Sequence, residues 1–181
     1  MAPSAISRRL FTFPDFDLER KPPLAEISPS MKRVQDALDR SGLSLEVVEL
    51  PHSTRTAQEA ADAVGCKLGQ IVKSLVFRGT DTETPYLVLV SGSNRADLEL
   101  VGELVDEPVR MADADYVREQ TGFGIGGVAP VGLQNPVRTI IDQDLLQYEG
   151  IWAAAGTPRS VFRLSPDNLL QITAGEVANI S

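Results

Sequence analysis

The sequence predicts a mixed α/β domain, and three observations predict it. Apolar, strand-like runs recur at Ile71–Phe77, Tyr86–Val90, Val137–Ile141, Ile151–Ala155 and Val161–Leu164. Helical patterns with start and stop signals lie among them. The two kinds of segment do not alternate regularly, and Gly79–Thr84 between two runs reads as a hairpin loop, so hairpins rather than regular βαβ units build the sheet. A chain of 181 residues is long enough for one domain with a sizeable core.

Residues 1–30 read as an N-terminal extension. Pro3, Pro14, Pro22, Pro23 and Pro29 interrupt any regular element. Phe11, Phe13, Phe16 and Leu18 could dock as an arm; the alternative is a tail. The domain is expected over 31–181. Ser30 is the expected cap of a helix from Met31 to Arg40, with Met31, Val34, Ala37 and Leu38 on one stripe and Gly42 as its stop. Leu45–Leu50 reads as a strand. Thr56 and Glu59 have capping-box spacing, so a small-residue helix starts there and ends at Gly65. Asp97–Leu104 and Asp113–Gln120 read as short helices, and Ser165-Pro166 as a cap followed by proline at the first helical position. Ile172–Ile180 fits no single pattern.

Composition excludes several classes. Hydrophobic content of 43% and charged content of 23% are ordinary for a globular chain. No apolar run reaches membrane-spanning length. Met1–Phe13 lacks the apolar core of a secretion signal; its Arg8 and Arg9 without acids leave a transit peptide as the alternative to a cytoplasmic location. One cysteine, Cys66, permits no internal disulfide, and with a single histidine no metal centre or cofactor is expected. A net charge of −8 argues against DNA and against non-specific nucleic-acid binding. It leaves room for a local basic rim drawn from Lys32, Arg33, Arg55, Lys67, Lys73, Arg78 and Arg95.

Two features point to chemistry. Gly122–Gly132 crowds five glycines and Pro130 into one loop, which suits close approach of bare backbone to a ligand; the competing reading is a surface turn. Its formal G-x-G-x-x-G lacks the preceding strand and following helix of a dinucleotide site. Its backbone N–H groups suit developing negative charge instead. The second feature is Lys73. Alternation puts it with Ile71, Leu75 and Phe77 on one face of an otherwise mostly apolar strand, where an ammonium must reach an opening or find a partner. A lysine snorkelling near a strand end is the alternative. His52, at a strand exit before Ser53, suits a substrate-contacting or solvated loop position better than a base. Cys66, beside Lys67, reads as a packing residue, with a lowered thiol pKa as the alternative. Asp113/Asp115 and Asp142/Asp144 read as acids at helix starts.

Several separated segments together resemble one family. Ile71-Val-Lys-Ser-Leu-Val-Phe77 is similar to the lysine strand of the YbaK/prolyl-tRNA synthetase-associated domain, and Gly126-Gly-Val-Ala-Pro130 to its G-x-x-x-P loop. Thr56–Ala61 resembles its alanine-rich helix, and Ile140-Ile-Asp142 and Ala155-Gly156 its later strand ends. The resemblance covers residues 31–180. It implies a mixed, mostly antiparallel, partly closed sheet surrounded by helices. It also implies free-standing hydrolysis of the ester in mischarged aminoacyl-tRNA. Carried over by position, Lys73 is the catalytic candidate. His52, Ser53, Gly92, Gly126, Gly127, Val128, Ala129, Pro130 and Gly156 are the substrate-binding candidates. The expected partner is the acceptor end of mischarged tRNA, with an aminoacyl-tRNA synthetase as a second candidate. The segment Gly156-Thr-Pro-Arg-Ser160 departs from YbaK proper, which leaves alanine, cysteine, serine and threonine esters all open. The runner-up is a non-catalytic module whose same pocket holds an amino-acid or nucleotide-like ligand or docks on a synthetase.

Overall fold

The computed structural model describes residues 27–181, so the arm expected over residues 11–18 lies outside the described residues. Helix α1 spans Pro29–Arg40 and is capped by Ser28, whose hydroxyl accepts the Met31 N–H at 3.2 Å. The expected start at Met31 is two residues late. Ser28-Pro29 supplies the cap-then-proline signal, and Pro29 and Ser30, read as the end of the extension, are helical. Strand β1 is Val47–Glu49, shorter than the expected run from Leu45 to Leu50. Helix α2, Ala57–Val64, begins at Thr56, which accepts the Glu59 N–H at 3.1 Å, and ends at left-handed Gly65.

Strands β2 (Ile71–Gly79) and β3 (Pro85–Ser91) form the expected hairpin, with Lys73 opposite Val90. Then follow α3 (Leu98–Val105), β4 (Val109–Met111), α4 (Ala114–Thr121), β5 (Arg138–Asp142), β6 (Ile151–Ala154), β7 (Ser160–Leu164), α5 (Pro166–Thr173) and β8 (Glu176–Ala178). Asp113 and Ser165 cap α4 and α5, as their positions indicate. The sheet order is β1-β7-β6-β2-β3-β5-β8. One edge of β2 is shared: β6 runs parallel to Ile71 and Val72, and β4 runs antiparallel to Phe77, Arg78 and Gly79. The β1–β7, β2–β3, β2–β4 and β6–β7 pairs are antiparallel; β2–β6, β3–β5 and β5–β8 are parallel. The fold is the mixed, mostly antiparallel α/β sheet that the sequence indicates.

Side-chain alternation builds a core on each face. On one face Val72, Val76, Leu87 and Leu89 meet α1 through Val34 and Leu38, α4 through Val117, and α5 through Leu169. On the other, Phe77, Val88 and Val90 meet α3 through Val101 and Val105, while Ile71 meets α2 through Ala60 and Ala61. Lys73 belongs to this second face. It therefore stands at the seam between the α2 and α3 clusters, on a strand face whose other members, Ile71, Leu75 and Phe77, are apolar.

Candidate functional site

Lys73 is half-buried, and its Nζ donates to the backbone carbonyl of Asn94 in the turn after β3. Burial lowers its pKa from the usual lysine value; Asp142 works against that shift and Arg95 adds to it. The turn that presents the carbonyl is tightly held. The Asn94 N–H donates to the Ser91 carbonyl at 2.9 Å. The Ser91 hydroxyl donates to the Gly69 carbonyl at 2.8 Å, and the Ser91 N–H to the buried Asp142 carboxylate at 3.0 Å. Gly92 belongs to the same turn: a Cβ there would stand 2.1 Å from the Leu68 carbonyl oxygen, so glycine lets the two segments touch.

The remaining sequence-derived candidates gather one strand away. Gly126 (φ +87°) is exposed at the tip of the glycine loop, 3.8 Å from the Pro158 ring as measured from its ideal Cβ. Gly127 and Gly156 pack backbone to backbone: a Cβ on Gly127 would lie 2.8 Å from Thr157 Cα. His52 and Ser53 are exposed, in a loop tied to this turn by Thr54, whose N–H and hydroxyl both donate to the Pro158 carbonyl at 2.9 and 3.1 Å. Val128, Ala129 and Pro130 are buried, and Val128 and Ala129 join the core on the face opposite Lys73.

The structure thus forms two groups. Lys73 and Gly92 stand at the start of β2 and the end of β3, and His52, Ser53, Gly126, Gly127 and Gly156 form a rim beyond β6. Among the described residues no hydrogen bond or ion pair joins Lys73 to the glycine loop, and its ammonium is given to Asn94. The parallel register sets Trp152 beside Ile71 and Ala153 beside Val72, at the start of the strand that carries Lys73. An open groove of about 630 Å³ lies elsewhere, between the end of α1, residues 130–137 and the end of α5; Pro130 is the one sequence-derived candidate that borders it.

Two readings of the sequence are corrected or sharpened. Burial drives the Cys66 thiol up to about 11, so the neighbouring Lys67 does not activate it. Asp142 does start a helical turn, accepting the Asp144 N–H at 3.0 Å, but it also reaches back to Ser91 and Asn94. Asn94 and this second role of Asp142 go beyond the sequence reading, which named Arg95 only as a rim cation. Their only sequence signal is a carboxylate closing an apolar strand and a Ser-Gly-Ser-Asn turn closing another. Among the described residues no group of histidine, cysteine and acidic side chains could hold a metal ion, and no helix is long and apolar enough to cross a membrane.

The family profile of the aminoacyl-tRNA editing domain matches residues 52–172, which include Lys73, the turn after β3, the glycine loop and Gly156. The chain belongs to the aminoacyl-tRNA editing domain family. A crystal structure described as that of "a putative trans-editing enzyme for prolyl tRNA synthetase" is 55% identical, with a TM-score of 0.81 over 85% of this chain and 98% of that one. YwhH of Bacillus subtilis (strain 168) is 30% identical over 148 residues, 82% of this chain and 94% of its own length. EbsC of Enterococcus faecalis (strain ATCC 700802 / V583), named a "Putative Cys-tRNA(Pro)/Cys-tRNA(Cys) deacylase", is 28% identical over 127 residues, 70% of this chain and 77% of its length. The editing-domain family and the observed sheet agree with the fold class read from the sequence.

Proposed function

We propose that this editing domain hydrolyses the ester of a mischarged aminoacyl-tRNA in trans, with Lys73 as the residue that holds the reacting end. The observation that carries the reading is the Lys73 ammonium itself. It is kept half-buried on the central strand of an editing-family domain, tethered to one carbonyl and still partly open to solvent. Its one acceptor among the described residues leaves two of its three N–H donors for a substrate. They suit the ester carbonyl or an oxygen of the terminal nucleotide, by charge-assisted hydrogen bonds.

The reaction needs little else from side chains. Water adds to the ester carbon, the carbonyl oxygen becomes an oxyanion, and the bond to the ribose oxygen breaks as that oxygen takes a proton. Free amino acid and tRNA leave. A neighbouring ribose hydroxyl can orient the water, which agrees with a single, exposed histidine in the chain. In the glycine loop the Gly127 N–H is already given to the Gly124 carbonyl at 3.0 Å. The proposal therefore rests the loop's share of oxyanion stabilisation on Gly126 and Val128 rather than on Gly127. Gly92, Gly156 and the His52–Ser53 loop shape the approach to the site, and residues 31–181 act as one editing domain.

The test is a deacylation panel. Purified protein is mixed with tRNA charged with alanine, cysteine, serine or threonine, alongside Lys73→Ala. Hydrolysis of one or two esters, lost in the variant, is the expected result and names the substrate. No hydrolysis above background for any ester would remove the deacylase and leave the ligand-binding module.

A further inference from the structure

Asp142 is fully buried, yet among the described residues no lysine or arginine forms an ion pair with it. Its Oδ2 accepts the Ser91 N–H at 3.0 Å and the Asn94 carboxamide at 2.9 Å, and its Oδ1 accepts the Asp144 N–H. A buried carboxylate filled by N–H donors is a fixed point, because each lost bond would leave a desolvated partner. What it fixes is the turn Ser91–Asn94, held at its first residue by the backbone and at its last by the side chain. The Asn94 carboxamide is further shared with Asp144 at 2.7 Å. The carbonyl that receives the Lys73 ammonium belongs to that same Asn94. We infer that Asp142, acting through Asn94, positions the Lys73 ammonium for the reaction, and that both are positioning residues.

Two independent links support this. One is geometric, the chain Asp142–Asn94–Lys73 just described. The other is electrostatic: Asp142 opposes the loss of charge that burial imposes on Lys73, while Arg95 favours it. These charges come from the end of β5 and from the turn after β3. The other neighbours of Lys73 on β2 and β3, Ile71, Leu75 and Val90, are apolar. The network thus keeps the lysine both aimed and charged. The inference rests on Lys73 being the working residue of the proposed site, so its test has one arm that needs no substrate.

In that arm the Lys73 13Cε resonance, assigned by its absence in Lys73→Met, is followed against pH. Asp142→Asn moves its titration to lower pH, whereas an Asp142 without influence on the ammonium would leave it in place; Arg95→Gln, as a control for the opposing charge, moves it to higher pH. An unmoved titration in folded Asp142→Asn overturns the inference. Should that variant fail to fold, Asn94→Ala decides the matter, since it keeps the backbone carbonyl and removes only the side-chain anchor. In the deacylation assay, run below its own melting midpoint, it keeps the wild-type KM but loses about 10- to 100-fold in kcat; an unchanged kcat overturns the inference. A wild type that hydrolyses no ester, with the titration still shifting as stated, would reject the proposed function and sustain the network.

Discussion

At Gly156 the backbone turns at φ +98°, and a Cβ would stand 2.8 Å from the Ser30 carbonyl carbon. Alanine there meets both a conformation closed to most residues and a backbone neighbour that cannot swing away. Gly156→Ala is expected to lower unfolding stability by about 1–3 kcal/mol, read from urea denaturation. Such a loss would identify the residue first as the joint that lets α1, the glycine loop and the β6–β7 turn meet. Lys73 makes the opposite case. Its partly desolvated side chain leaves a strand face shared with Ile71 and Leu75 and paired with Val90, where a methionine of similar length would fit. Lys73→Met is expected to melt no lower than the wild type while losing hydrolysis, the signature of a residue kept for function. A variant that melts well below the wild type would mark the lysine as structural.

Among the elements, the β2–β3 hairpin is pinned by one carboxylate from outside it. Glu107, after α3, accepts the Thr82 and Tyr86 hydroxyls at 2.6 and 2.7 Å and the Asp81 and Thr82 N–H groups at 3.1 Å. The Thr82 hydroxyl above all, then that of Tyr86, holds its pKa at about 2, against the usual 4.5. Its folded pKa is depressed, so its contribution is complete above about pH 4.5 and is lost as the pH falls towards 2. The melting-temperature difference between wild type and Glu107→Gln is therefore expected to be largest near neutral pH and to shrink across that window; a constant difference would contradict it. Nothing local in the sequence announced this contact, because Glu107 and Thr82 lie 25 residues apart. Signals confined to a few residues were readable: Thr56 with Glu59, Asp113, Ser165 with Pro166, and the run Ile71–Phe77. Short β4 and β8 carry too few residues for a period, and the parallel pairs join strands distant in the chain. The same limit applied at the site. Lys73 stood out as a cation in an apolar strand, but its partner is a backbone carbonyl, which every residue has. The glycine loop was legible as a place of close backbone approach, and its partner, the Gly156–Pro158 turn, became visible only in the fold.

At the scale of the whole molecule, the net charge of −8 repels a polyanion, so an editor must grip tRNA through local cations. Arg55, Lys67 and Arg95 are exposed and available to it. Affinity for charged tRNA is expected to fall steeply between about 50 and 200 mM salt as released counterions compete. A pocket that reads only a small ligand would show no such slope. Hydrolysis is proposed to take place at Lys73. Single-turnover hydrolysis of the preferred aminoacyl-tRNA by wild type and Lys73→Ala, at enzyme concentrations saturating for both, tests it most directly. The expected result is a rate lower by about a hundredfold or more in the variant, with the fold retained. Equal rates would contradict it and would move the reacting end away from this lysine.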